Sequence, residues 1–506
     1  MKLLNQLNQT NFEANQSGKN MAKSSQKPHA IMIAFPFQGH INPSVNLVMK
    51  LASKGCAITF VHTEFIHQML SKSQNSSSEL DLFAEARESG LDIRYTTISD
   101  GFPVEFDRFL HSNEYWESML RDFPARVDEF VGKIIRSDPQ SAYFLIADTY
   151  YTWPATIARK HNLVDVSFWT EPALVFSIAY HLDLLRENGH FPCKDNIEEN
   201  LNYIPGVSSI NTRDLMPFLK ESSITTMEQK VVVKIFDVDE QVKKADFILQ
   251  NTVQELEFEA ISALNQKQPI YPIGPINFST GFTKPAISQN LWAQTDTKTW
   301  LDSKPSSSVL YVSFGSLVQT SKQIIQEIAH GLLLSKVSFL WVVRSDIVNS
   351  NDTDVLPLGF ADDVKDQGLI VQWCNQNMVL SHPAIVGFMT HCGWNSVLES
   401  IWCGVPMICY PLSSDQPTNR KLVVDDWKIG INLCDGELVT REEVVEKIDS
   451  TRSGTVSDGL KIEIKKVRTI LQKALAVDGS SEKNFDQFLK DLKAKIHVKM
   501  QDISTS

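Results

Sequence analysis

Between Trp373 and Gln416 the chain reads WCNQNMVLSHPAIVGFMTHCGWNSVLESIWCGVPMICYPLSSDQ, with polar and aromatic groups at the ends of apolar runs. Trp373 closes one run and offers a flat apolar face to a planar ring such as a base. His391-Cys392-Gly393-Trp394-Asn395-Ser396 closes another run and opens a helical one. Gly393 permits a tight turn and close backbone approach. His391, Asn395 and Ser396 add side-chain donors to the free N–H groups of a first helical turn. That donor set suits a phosphate without being a Walker loop, although an N-cap beside a core histidine would carry the same letters. Glu399 lies one helical turn beyond Asn395 and can face the same side, where a carboxylate accepts two sugar hydroxyls. Asp415 and Gln416 follow a further run, and an acid beside an amide can hold vicinal hydroxyls. Singly these are a core indole, a solvated charge and turn residues. Together they place base-, phosphate- and hydroxyl-binding chemistry at the strand ends of one domain.

Far upstream, His40 in FPFQGHINP sits at a strand-to-helix turn, and an imidazole is the usual general base near neutral pH. Such a base needs a partner that fixes its tautomer, as a buried carboxylate does in serine hydrolases. Asp148 ends the apolar run YFLIAD, so it is expected at the same sheet edge as His40.

The elements that must hold these groups alternate strand and helix. AIMIAFPF (30–37), a helical INPSVNLVMKLASKG and AITFVHT (57–63) form one unit; YFLIAD (143–148), a helix after Trp153 and VSFW (166–169) repeat it. ADFILQNT (245–252) reads as another strand. A Pro-, Gly- and Ser-rich stretch, IYPIGPINFSTGFTKPAISQN (270–290), is the best linker. A second series follows: SVLYVSFGS (308–316), a helix over 321–335, FLWVVR (339–344), LIVQW (369–373), IVGFMTH (385–391), a helix over 395–403 and PMICYPL (406–412). Residues 480–496 read as an amphipathic helix. Alternating units predict parallel α/β sheets that bind ligands outside the carboxyl ends of their strands.

At 506 residues the chain has room for two domains. A formal net charge of -12 argues against nucleic acid or an anionic membrane as the main partner. It leaves room for a small anionic ligand held by local donors. Seven scattered cysteines, an odd count without a CxxC pair, point to free thiols in a reducing compartment, the cytoplasm. No run of about 18 or more apolar residues predicts a membrane span. Residues 1–27 are polar, lack a signal-peptide core and are expected to be a disordered leader, with Met21 an alternative start. The sequons at Asn8, Asn15, Asn75, Asn277 and Asn351 then read as chance matches.

The stretch from Trp373 to Gln416 resembles the signature box of plant family 1 UDP-glycosyltransferases: it has that length, opens on Trp, carries HCGWNS with a following Glu and closes on Asp-Gln. Residues 28–496 are similar to the family throughout, most closely to its 86A-type subgroup. The resemblance implies two doubly wound Rossmann-like domains facing a cleft, the GT-B fold. It implies an N-terminal acceptor-binding domain (28–269), a linker (270–300), a C-terminal UDP-sugar-binding domain (301–479), and a final helix with its tail (480–506) packing back on the first domain. Trp373 would stack on uracil, with the backbone of Cys374 reading its edge. Gln376 and Glu399 would hold the ribose; Ser316, His391, Asn395 and Ser396 the diphosphate; Trp394, Asp415, Gln416 and Thr170 the donor sugar. His40 would be the base and Asp148 its partner. The activity implied is inverting, metal-independent O-glycosylation of a small lipophilic plant metabolite by a monomeric enzyme. UDP-glucose is the co-substrate, and no cofactor is required. Two residues depart from the family pattern: Cys374 stands where Ala is common, and Tyr410 replaces a common Trp. Glu171 beside Thr170 is also unusual and could touch either substrate.

Three alternatives bear on this reading. Asp237-Val238-Asp239 and Asp352-Thr353-Asp354 match a metal-holding DxD pattern, but neither ends an apolar strand, so both read as solvated charges. A sugar-nucleotide-binding protein without transferase activity would keep the donor box and lose His40 and Asp148. A dehydrogenase would need a GxGxxG after a strand, and none occurs. Acceptor contacts are expected from residues 100–125 and 175–235, where FPVEF, FLHSNEYW and MLRDFP supply aromatic and apolar groups.

Overall fold

The computed structural model of the chain describes residues 27–73, 81–108, 110–192, 198–221, 223–224, 226–236, 241–278, 291–348, 355–434, 436 and 438–505. Both DxD stretches, Cys193, most of the leader and linker residues 279–290 lie outside them. The strands are β1 (Pro28–Ile33), β2 (Ala57–Thr63), β3 (Ile93–Ile98), β4 (Ala142–Asp148), β5 (Val164–Trp169), a short antiparallel pair β6 (Asn200–Leu201) and β7 (Ile210–Asn211), β8 (Phe247–Gln250), β9 (Ile270–Pro272), β10 (Val309–Ser313), β11 (Ser338–Val342), β12 (Gly368–Val371), β13 (Ile385–Thr390), β14 (Met407–Cys409) and β15 (Gly430–Asn432).

They form two parallel sheets, in the orders β3-β2-β1-β4-β5-β8-β9 and β12-β11-β10-β13-β14-β15. β1 and β4 are buried at every position, as continuous apolar runs covered by helices on both faces require. In each sheet the order reverses beside one strand, β1 in the first and β10 in the second. The loops that leave neighbouring strands there run apart and open a crevice at the carboxyl edge. Pairing of Ile33 with Ala147, and of Ser313 with Thr390, brings the ends of β1 and β4, and of β10 and β13, level.

Several boundaries differ from the sequence reading. β1 ends at Ile33 because the chain turns at Phe35-Pro36-Phe37, where Phe37 N–H donates to Phe35 O at 2.9 Å and Pro36 has no N–H for a ladder. The expected linker begins too early: Ile270–Pro272 pair with Ile248–Gln250 and form the edge strand of the first sheet. Proline is tolerated there because an edge strand has an unpaired side. The polar alternation IRYTTI, not read as a strand, is β3. Helices over Ser112–Arg121, Phe123–Ser137, Arg441–Arg452 and Gly454–Ala474 were also not anticipated.

The last helix, Ser480–Thr505, runs past residue 496 and lies against the first domain. Phe485, Phe488, Leu489, Leu492 and Ile496 join the apolar cluster of Ala30, Met32 and Phe144. Glu482 pairs with buried Lys50 at 2.7 Å, and Asp491 accepts from Tyr271 at 2.8 Å. Among the described residues, no helix is long and apolar enough to cross a membrane.

Candidate active site

A cavity of about 670 Å³ lies between the carboxyl edges of the two sheets. It is lined by every residue singled out from the sequence as a site residue except Asp148. His40 falls in the first turn of the Gln38–Ser53 helix, just beyond β1. Asp148 ends β4 with its side chain almost wholly buried, and its Oδ2 lies 2.8 Å from His40 Nδ1. The same carboxylate accepts from the Tyr150 backbone N–H at 2.9 Å through Oδ1, which fixes its orientation. Thr170, just after β5, places its Oγ1 2.9 Å from His40 Nδ1 as well. With Nδ1 engaged by the carboxylate, Nε2 is the nitrogen left to exchange a proton. Phe35 and Tyr150 pack edge-on against the imidazole, at 5.0 and 5.4 Å between ring centroids.

The opposite wall is built on the Trp394–Cys403 helix. Its N-cap is Gly393, which has no side chain to cap the first-turn N–H groups, so these stay available to an anion. The left-handed turn that swings the chain into this helix falls at Cys392 (φ 66°), not at Gly393. Buried Asn419 holds it, donating to Cys392 O at 2.8 Å and to Asp415 Oδ2 at 2.5 Å. Gly393 is needed for a different reason: a Cβ there would lie 2.5 Å from His391 Nε2. A Cβ at Gly315 would lie 2.4 Å from the same atom, so two glycines flank the ring. Burial, with the Arg344 guanidinium nearby, pulls the His391 imidazole down to about 4 and keeps it neutral. Arg344, buried at the end of FLWVVR, donates to Gly315 O and, at 2.8 Å, to Val318 O. It thereby braces the loop that carries Ser316.

Deeper in the cavity Gln376 Nε2 donates to Glu399 Oε2 at 2.6 Å and to Ser396 Oγ at 2.9 Å, while Tyr311 donates to Gln376 Oε1 at 3.2 Å. Burial pushes the Glu399 carboxyl up to about 7, against the lowering effect of Gln376 and Asn377. Trp373 faces Trp292 at 6.4 Å between centroids. Cys374 is buried with its thiol 3.7 Å from Tyr311 Oη, and burial raises that thiol to about 11. Gln416 Oε1 accepts the Leu412 and Ser413 N–H groups at 2.8 and 3.0 Å, so its amide nitrogen is the donor turned to other partners. Asp415 is pushed up to about 6 by burial, opposed by the hydrogen bond from Asn419. Trp394 spends its indole N–H on Asn251 O of the first domain at 2.8 Å, and Asn395 donates to Gly39 O at 2.7 Å. These two therefore also tie the domains together.

Sequence reasoning missed Arg344, Asn419 and Tyr150. Arg344 had a signal, an arginine closing an apolar strand; Asn419 had another, an amide one helical turn after Asp415. Among the described residues no group of three or more His, Cys, Asp or Glu could hold a metal ion. Cys56, Cys374, Cys392, Cys403, Cys409 and Cys434 are free thiols.

Two parallel-sheet domains facing a cleft, one carrying an acid-held imidazole and the other a bare helix N-terminus, define the GT-B architecture of nucleotide-sugar transferases. The model of the UDP-glucoronosyl and UDP-glucosyl transferase family matches residues 182–448. UDP-glycosyltransferase 86A1 of Arabidopsis thaliana is 50% identical over 95% of this chain and 97% of its own. A 7-deoxyloganetin glucosyltransferase of Catharanthus roseus is 35% identical over 93% and 98%. Among solved structures, a UDP-glucose: anthocyanidin 3-O-glucosyltransferase in complex with UDP superposes with a TM-score of 0.78 at 25% identity, covering 93% of this chain and 100% of that one. Phytolacca americana UGT2, complexed with UDP-2fluoro-glucose and pterostilbene, gives 0.73 at 25% identity over 92% and 99%. The chain belongs to this family and is an enzyme, a plant family 1 UDP-glycosyltransferase of the 86A type.

Proposed function

We propose that the enzyme transfers glucose from UDP-glucose to a hydroxyl of a small lipophilic metabolite, with inversion and with His40 as general base. The observation that carries this reading is the 2.8 Å contact of His40 Nδ1 with Asp148 in the wall of the cavity that also holds the donor-binding groups. The acceptor oxygen bonds to the anomeric carbon as the bond from that carbon to the UDP oxygen breaks. The hydroxyl proton passes to His40 Nε2, and UDP leaves with the electron pair from the opposite face, so an α-linked donor gives a β-glycoside. Asp148 holds the Nδ1–H tautomer and stabilises the imidazolium. Negative charge grows on the leaving diphosphate, where the Trp394–Cys403 helix N-terminus, Ser316, Ser396 and neutral His391 are poised to stabilise it.

Trp373 and the Cys374 backbone take the uracil, and Gln376 with Glu399 takes the ribose hydroxyls. Asn395 assists at the diphosphate; Trp394, Asp415, Gln416 and Thr170 surround the sugar. Charge stabilisation by these donors supports a reaction without a metal ion. The free thiols support action in a reducing compartment, the cytoplasm.

The His40→Ala variant should lose roughly 10²–10⁴-fold in turnover while keeping UDP affinity in calorimetry. Retained turnover would remove His40 as base. An α-glucoside product, read from the anomeric proton coupling, would refute inversion. Activity lost in a chelator and restored by a divalent ion would refute the metal-free reading.

A further inference from the structure

Trp373 receives little support from its own sheet. It lies in the irregular stretch between β12 and the Gln376–Leu380 helix, and β12 is the edge strand of the second sheet. An edge strand has no neighbour on its outer side to fix the chain that leaves it. The end of the linker takes that place. Thr295 N–H donates to Trp373 O at 2.9 Å, and the Trp292 indole faces the Trp373 indole at 6.4 Å between centroids, with 30° between the ring planes. Trp373 lines the cavity, whereas Trp292 lies outside the lining.

The stretch that brings Trp292 there is otherwise open to solvent: Ala293, Gln294, Thr295 and Asp296 are exposed, and Trp292 is half-buried. The stretch is pinned on both sides of Trp292. Leu291 N–H donates to Gln38 Oε1 at 2.8 Å, in the turn that carries His40. Thr297 and Leu301 are fully buried, and Leu301 belongs to the apolar cluster that holds Val371 and Cys374. Aromatic rings at such a separation attract one another beyond the area they bury. An indole already held in place loses less side-chain freedom when a base stacks on it, which favours binding.

We propose that Trp292 is a positioning residue of the donor site: with the Thr295 N–H it holds the Trp373 indole in the plane on which the base of the nucleotide stacks. The interdomain linker thereby sets donor affinity as well as joining the two domains. This inference rests on the reading above that Trp373 takes the uracil. It assigns Trp292 an effect on the base alone, because the diphosphate donors stand on other elements, the Trp394–Cys403 helix and the loop after β10.

The test uses the full-length enzyme, with UDP and inorganic pyrophosphate as competitors of UDP-glucose. Stacking on an aromatic side chain is worth roughly 10- to 100-fold in affinity to a base, and a loosened platform forfeits part of it. Trp292→Ala should therefore raise the inhibition constant of UDP and the KM for UDP-glucose by about 3- to 10-fold. The turnover at saturating donor should change little, the mark of lost ground-state binding. Pyrophosphate has no base and should inhibit the variant and the wild type alike, whereas a generally loosened cleft would weaken both competitors. Trp292→Phe, which keeps a ring, should recover most of the UDP affinity, and Trp292→Leu should not. Should the alanine variant not fold, the phenylalanine and leucine variants carry the comparison. In a Trp373→Ala background, Trp292→Ala should add nothing to the loss of UDP affinity, because the two residues act as one unit. Unchanged UDP inhibition, an equal loss of UDP and pyrophosphate, or tighter UDP binding in Trp292→Ala would each overturn the proposal; the last would mean that Trp292 covers the face the base needs. A Trp373→Ala enzyme that binds UDP as the wild type does would refute the uracil reading, and the inference with it. A loss in Trp373→Ala without one in Trp292→Ala would refute the inference alone.

Discussion

His391 shows how tightly single residues are set in this site. Its ring lies between positions 315 and 393, and any side chain at either would overlap it. Gly315 also has a φ of 76°, in the left-handed region where an L side chain is strained. Gly315→Ala should therefore push His391 off its position and lower kcat/KM by about 10²-fold, the cost of a displacement near 1 Å at a reacting centre. Isothermal titration with UDP should show the same loss, because the defect lies in the donor half. Asp148→Asn acts on the other half. An amide can present its N–H to His40 Nδ1 and favour the wrong tautomer, so kcat should fall by about 10⁴-fold with UDP affinity retained. A drop of that size in UDP affinity would instead mean that Asp148 organises the whole cleft.

At the scale of elements, the Trp394–Cys403 helix presents its N-terminus to the cleft and also carries a buried acid, Glu399. The Glu399 carboxyl rises from an ordinary 4.5 to about 7 in the folded protein. The folded state then holds a proton that the unfolded chain releases. The stabilising share of this protonation is complete below pH 4.5 and is lost as pH rises through 7. Wild-type unfolding free energy should fall across that window, and Glu399→Gln should flatten the fall by up to roughly 3 kcal/mol. Denaturant melts at closely spaced pH values measure the slope; an equal slope in the variant would remove Glu399 from the titration. Asp415, raised to about 6, adds to the same trend. Elements of this kind were legible in the sequence where burial is complete. β1, β4, β10 and β13 stand out because both faces are covered and the apolar run is unbroken. β3 was hidden because IRYTTI is largely half-buried and polar, and β15 because three residues carry no period. His40 and Asp415 were visible as polar letters at element ends, and Glu399 as an acid one helical turn beyond Asn395. Arg344 and Asn419 each left a signal, an arginine closing an apolar strand and an amide one helical turn after Asp415, but the contacts that give them and Tyr150 their roles, to Val318 O, Cys392 O and the His40 ring, are made only in the fold.

At the scale of the whole molecule, the two halves share apolar interior and polar bonds. One cluster joins Phe176 and Met216 of the first domain to Leu398 and Val423 of the second. Interdomain contacts within a chain usually permit motion unless they are large and hydrophobic, so this shared cluster should keep the cleft near one geometry. At its edge Arg420 donates to Asp214 of the first domain and to Asp425 of its own at 3.0 Å. Asp214 is buried, and desolvation raises its carboxyl even though Arg420 opposes the shift. The Arg420→Met variant would leave that acid without its cation. An uncompensated buried charge costs about 3–5 kcal/mol, and the acid can escape part of the cost only by taking up a proton. The variant should therefore be destabilised more at pH 8 than at pH 5, since the unpaired carboxylate is charged only above its raised pKa. The residues proposed to hold UDP all lie in the second domain, whereas the proposed base lies in the first. UDP affinity should thus survive the substitution while kcat falls, as the first domain is no longer aligned on the second. Calorimetry at both pH values, with UDP titration and steady-state rates, separates these effects. A parallel loss of UDP affinity and rate would show that the Asp214–Arg420 pair supports the second domain itself, not the alignment of one domain on the other.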